Sequence, residues 1–169
     1  MYPNQDIGLT PCECYREVCR RRFGTREQGG LPPTSHGDTI YGTLPVTDPI
    51  APWQVEFYER DDGRCPVEDF LNGLDKPARA KVLGLIQFLA DQGPTLPFPY
   101  SSQVRGKLRE LRTQYGRENF RVLYYGASGR EWVLLHGFTK RTSTTPERDI
   151  RIAEARMTDY LERRKRVEP

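Results

Sequence analysis

No apolar stretch in this 169-residue sequence approaches the length of about 20 residues that a membrane-crossing helix needs. Its opening, MYPNQDIGLTPCECYREVCRRRF, also lacks the basic-then-apolar order of a secretory signal. A soluble, cytoplasmic protein with no membrane partner is therefore expected. Cysteine is scarce and poorly spaced for metal. Cys12 and Cys14 form a C-x-C pair, tighter than the usual arm of a zinc site, and Cys19, Cys65 and His36 complete the set without paired spacing. Reduced thiols, no metal and no cofactor are the expectation. Histidine is scarcer still, so His136 is the one imidazole in the patterned part of the chain.

Charge is plentiful and unevenly placed. Residues 1–100 carry 10 Lys+Arg against 14 Asp+Glu, whereas residues 101–169 carry 16 against 9, so the two parts are −4 and +7. A basic half points to a polyanionic partner, nucleic acid first. The plainer explanation is a solvated helical tail, because RRKR at 163–166 alone supplies four of these cations. The length suits one core and no second full domain. Residues 1–52 are rich in Pro, Gly and Thr, with a short helical pattern at 12–23 and no sustained periodicity, and read as a flexible N-terminal extension. Residues 53–163 form the patterned domain, and 164–169 a basic tail.

Within that domain Trp53, Val55 and Phe57 alternate with polar neighbours, as in a strand that RDDGR at 60–64 ends. After Pro66, apolar residues at 67, 70, 71 and 74 repeat at helical spacing. Pro77 opens a second helix with Val82, Leu85, Ile86 and Leu89 on one stripe, stopped by Gly93-Pro94. TLPFPY at 95–100 is a Pro-rich connection. Three strands follow at about 107–113, 119–125 and 131–138, the last two joined by GASG as a hairpin. Thr145 is the expected N-cap and Pro146 the first residue of a final helix, whose stripe is Ile150, Ala153, Met157, Tyr160 and Leu161. The order β-α-α-β-β-β-α predicts an α+β domain in which a helical hairpin and a C-terminal helix accompany a small, mainly antiparallel sheet.

The strands carry the chemistry. Lys107, Arg109 and Arg112 lie on the first, Arg121 on the second, and Lys140 and Arg141 end the third. If the three are neighbours about 4.8 Å apart, these six side chains can converge within roughly 10 to 15 Å. Arg121 interrupts an apolar strand, where an unpaired charge is costly, so it needs a ligand or a carboxylate, and Glu110 is the nearest one. Few carboxylates among many cations suit neither glycosidase-type proton shuttling nor a divalent metal. They suit a phosphodiester, whose oxygens gain charge in the transition state. RNA supplies its own 2′-OH nucleophile, so such a site needs no metal. His136 is the obvious acid or base, against a hydrogen-bonded core role. By alternation Tyr125 shares the face of Arg121 and is placed to stack on a base or to pack in the core, while Tyr124 turns toward the helices. Thr142 stands among hydroxyls within reach of phosphate.

Taken together, ELR (110–112 with its preceding leucine strand), the FRVLYY strand, HGFTK and the TPERDI helix start resemble the RelE/ParE superfamily of type II toxins, closest to its phage-derived, HigB-like branch. The resemblance covers about 53–163. It implies a RelE-like fold, a cognate antitoxin of helix-turn-helix type in a hetero-oligomer, and metal-independent cleavage of mRNA in the ribosomal A site. By position it carries catalysis onto Arg121, Lys140, Arg141 and Lys107 and RNA binding onto Arg109 and Arg112, while the chemistry of the residues themselves adds His136 to the catalytic set and Tyr125 and Thr142 to the RNA-binding one. Glu110 departs from the pattern, standing where RelE relatives carry a cation, and the C-terminal Tyr or His of several relatives has no clear counterpart. ParE-like inhibition of DNA gyrase on the same scaffold is the alternative, and a non-toxic phage-derived accessory protein the third.

Overall fold

The computed structural model describes residues 53–167. The proposed extension at 1–52, with Cys12, Cys14, Cys19 and His36, lies outside the described residues. The elements are β1 (Gln54–Phe57), α1 (Pro66–Asn72), α2 (Lys76–Gln92), a 3₁₀ turn (Gly93–Thr95), β2 (Ser101–Arg105), β3 (Leu108–Tyr115), β4 (Glu118–Ala127), β5 (Glu131–Lys140) and α3 (Glu147–Val167). They make one five-stranded sheet in the order β1-β5-β4-β3-β2. All neighbours are antiparallel except β1, which runs parallel to β5.

The α+β class and the helical hairpin agree with the sequence pattern. The element order does not, because β2 adds a strand between the Pro-rich connection and β3. Ser101–Arg105 pairs with β3 at an edge of the sheet. Its SSQVR carries a single aliphatic residue, so it shows no alternating pattern to read. An edge strand that faces water needs none.

Local chemistry accounts for the helices. Pro66 starts α1 and turns Val67 and Leu71 inward. Asp75 caps α2 by accepting from the Ala78 amide at 2.8 Å. The buried residues of α2, Ala78, Val82, Leu85, Ile86, Leu89 and Ala90, form one helical stripe. Gly93, with φ of +59°, ends it.

The sheet is covered on both sides. The hairpin α1–α2 packs on Leu111, Phe120, Val122, Tyr124, Trp132 and Leu134, while α3 packs Ile150 and Ala153 on Leu108, Leu123, Tyr125, Val133 and Leu135. A bulge in β5 leaves Leu135 unpaired between the Leu123–His136 and Tyr124–Leu134 pairs. Gly137 lies opposite Val122, and a Cβ built there would sit 2.2 Å from Cδ1 of Phe70. Glycine therefore lets α1 close onto β5. Gly137→Ala is expected to overpack this contact and cost about 1–3 kcal/mol, read by urea denaturation. Adding Phe70→Leu should recover part of the loss, and an unchanged midpoint in the single variant would show that α1 is not held against this residue.

Polar contacts fasten α3. Tyr58 donates to Asp159 at 2.6 Å, Tyr160 donates to Glu56 at 2.6 Å, Arg105 pairs with Glu147 at 2.7 Å and Arg164 pairs with Glu131. The basic run at 163–166 thus belongs to α3 rather than to a separate tail, and Arg163 and Arg164 are tied down.

Candidate functional site

The buried sheet residues that pack with α3 are Leu108, Leu123, Tyr125, Val133 and Leu135, and further along the same face β3, β4 and β5 carry charge. There the register sets Arg112 opposite Arg121, Arg121 opposite Phe138, and Asn119 opposite Lys140. Side chains alternate along a strand, so Glu110 and Arg112 share this face, as do Phe138 and Lys140. Arg112, Arg121 and Lys140 therefore stand together on one face of the sheet.

Glu110 lies at the centre of these cations. It is 5% exposed, and its carboxylate accepts from Ser102 Oγ at 3.1 Å and from Thr145 Oγ1 at 2.8 Å. Arg112 Nε lies 3.6 Å from Oε1 and Arg121 Nε 3.8 Å from Oε2. One carboxylate thus ties β2, β3, β4 and the loop before α3. Thr145 consequently does not do the job expected of it. Its hydroxyl goes to Glu110, and the third and fourth amides of α3, those of Asp149 and Ile150, donate to the Pro146 carbonyl.

Arg121 is 6% exposed. One terminal nitrogen donates to the Phe120 carbonyl at 2.8 Å, while the buried Nε has no hydrogen-bond partner. At 3.8 Å its link to Glu110 is an ion pair without a hydrogen bond. Burial, more than any neighbour, makes its charge less favourable than in water. Lys140 is also destabilised as an ammonium, by burial first and then by Arg121, which lowers its pKa. These cations are short of counter-charge, the condition in which an incoming anion is most welcome.

The other proposed residues are elsewhere. Lys107 is exposed in the turn between β2 and β3, not on a strand. Arg109 turns to the hairpin face, where it donates to Tyr124 Oη at 3.3 Å and Ser101 Oγ at 3.2 Å. Arg141 is exposed just after β5, and Thr142 donates within its own loop to the Thr144 carbonyl. Tyr125 is 1% exposed beneath α3, edge-on to Tyr160, with its hydroxyl pushed up to about 12 by burial. It is a core residue and has no face to offer a base.

His136 is likewise engaged. Its Nδ1 accepts from Arg156 at 3.0 Å, which leaves Nε2–H to donate to Asp149 at 2.9 Å. Burial lowers its pKa against the pull of Asp149. A depressed folded pKa means that the unfolded chain takes the proton first, so stability should fall as pH drops below about 6.5. Thermal melts at pH 7.5 and 5.5 should show a smaller acid loss in His136→Asn than in the wild type. Equal losses would place the acid sensitivity in other groups.

The residues that sequence reasoning missed are Ser102, Thr145 as a ligand of Glu110, and Phe98. Phe98 is 73% exposed, with the Arg112 guanidinium 5.3 Å from its ring centre. Among the described residues no group of three or more His, Cys, Asp or Glu is placed to hold a metal ion, and no helix is long and apolar enough to cross a membrane.

Comparison with curated proteins finds no match. A family model described as Phage derived protein Gp49-like (DUF891) matches residues 69–158, from within α1 to the middle of α3 and across the whole basic cluster. The match spans more than half of the sequence, and the chain belongs to this Gp49-like family, a RelE/HigB-like toxin family associated with toxin-antitoxin systems and thus with an antitoxin partner.

Proposed function

We propose that the protein is the toxin of a type II toxin-antitoxin pair of the HigB-like branch, acting in the cytoplasm as a metal-independent endoribonuclease on ribosome-bound mRNA. The observation that carries this reading is the meeting of Arg112, Arg121 and Lys140 on neighbouring strands, where the ion pairs of the two guanidiniums among the described residues go to one shared carboxylate, Glu110. The two guanidiniums suit the non-bridging oxygens of one phosphodiester, whose negative charge grows as the 2′-oxygen attacks phosphorus. In that step the 2′-OH loses its proton to solvent and the P–O5′ bond breaks. A 2′,3′-cyclic phosphate remains on one fragment. Lys140, with its lowered pKa, is the group we assign to return a proton to the departing 5′-oxygen. Arg141, exposed beside it, adds charge along the strand. The antitoxin would cover this basic face, with an acidic segment and a helix-turn-helix of its own.

The engagement of His136 favours a second reading. With both ring nitrogens committed to α3, the site lacks the usual imidazole acid or base, as a ParE-like gyrase inhibitor could. Primer extension on cellular mRNA after brief induction separates the two. New 5′ ends at fixed codon positions are expected. Intact mRNA with broken DNA would replace the nuclease with gyrase inhibition, and neither effect would point to a non-toxic accessory protein.

A further inference from the structure

Phe98 is the most exposed large hydrophobic residue among those described, yet its loop is well anchored. The Pro97 carbonyl accepts from the amides of Tyr100 and Ser101 at 3.0 and 3.2 Å, and the Tyr100 carbonyl accepts from the Arg112 amide at 2.8 Å. Tyr100 packs edge-on against Phe88 at 5.6 Å. The loop is thus tied to β3 and α2 while the Phe98 ring stays outside the core. Against the ring lies the guanidinium of Arg112, the residue opposite Arg121.

We propose that Phe98 is a stacking platform for a nucleobase adjoining the phosphate at Arg112 and Arg121, so that the site takes single-stranded RNA by one base as well as by its backbone. This rests on the RNA reading above. A base has a π-face for the ring, and its own phosphate, one ribose away, has the cations for a partner. Phe98, in the loop before β2, lies against Arg112, and Arg112 stands opposite Arg121, so charge follows the aromatic. Pro97, Pro99 and Tyr100 beside the ring are exposed as well, so a hydrophobic peptide segment is the competing occupant, and the guanidinium against the ring is what favours a base with its phosphate.

The test is single-turnover cleavage of an mRNA positioned on ribosomes by wild type, Phe98→Ala, Phe98→Leu and Phe98→Trp. Phe98→Ala and Phe98→Leu should lose roughly 10- to 100-fold in kcat/KM, with Phe98→Trp close to wild type. Melting temperatures should be unchanged, because the ring is outside the core. An abasic site at one position beside the cut should cost the wild type as much as Phe98→Ala does, and should cost Phe98→Ala nothing more. Additive losses at every position, or a Phe98→Leu enzyme as active as Phe98→Trp, would overturn stacking and leave the nuclease standing. Unaltered cleavage with weakened antitoxin binding would overturn it too and give the ring to the antitoxin. Wild-type protein that leaves the mRNA whole removes the RNA reading and this proposal together.

Discussion

Arg121→Lys is expected to stay folded, bind the antitoxin and lose roughly 10²- to 10³-fold in RNA cleavage. The substitution keeps one positive charge and removes the planar fork. In the native site one arm of that fork is spent on the Phe120 carbonyl, and Nε stands 3.8 Å from Glu110 without a hydrogen bond. The remaining donors are the ones a phosphate could recruit, and a lysine ammonium on a strand this buried cannot serve both the carbonyl and a phosphate in the same plane. Melting temperature and cleavage rate must be measured on the same preparation. A stable, fully active Arg121→Lys would take the residue out of the chemistry and remove the centre of the proposed site. A large fall in melting temperature would instead make the guanidinium chiefly a structural counter-ion of Glu110.

The helices and the central strands were legible because each has a strong period: the α2 stripe, the two-sided apolar runs of β4 and β5, and the α3 stripe all match burial in the structure. What failed was polar or depended on register. β2 has no hydrophobic alternation. Arg109 could have been set apart from Arg112 by alternation alone, since three residues along a strand reverses the face. Tyr125 shares a face with Arg121, but four residues along a strand is about 13 Å, enough for α3 to cover one and leave the other at its rim. No local pattern reports where a helix from 25 residues later will stop. The pairing of Glu110 with Arg121 was visible as a need, a buried cation lacking an anion. The two hydroxyls that complete the carboxylate's shell come from β2 and from the Thr-rich loop, and only the fold brings them together.

The same carboxylate makes the second large prediction. Glu110→Gln is expected to lower stability by about 3 kcal/mol, on the order of 10 °C in Tm for a domain of this size. The amide keeps the shape, with Oε1 accepting from one of the two hydroxyls of Ser102 and Thr145 and Nε2–H donating to the other, so the loss reports charge more than shape. Without the carboxylate, a 6% exposed guanidinium has no anion, and Arg112, Arg121 and Lys140 repel one another. The expected loss sits at the low end of the range for broken buried pairs because the Arg121 link, at 3.8 Å, is not hydrogen-bonded. If charge is the cause, an added polyanion should restore the Tm of Glu110→Gln more than it raises that of the wild type, because binding to the folded state alone is stabilising. Replacing both partners, Glu110→Leu with Arg121→Met, should recover the fold without recovering cleavage. A Glu110→Gln Tm within about 2 °C of wild type, a shift of well under 1 kcal/mol, would mean that solvent reaches these cations well enough to screen them. The carboxylate would then serve to aim the arginines and to hold Thr145, and its effect would appear in the cleavage rate instead.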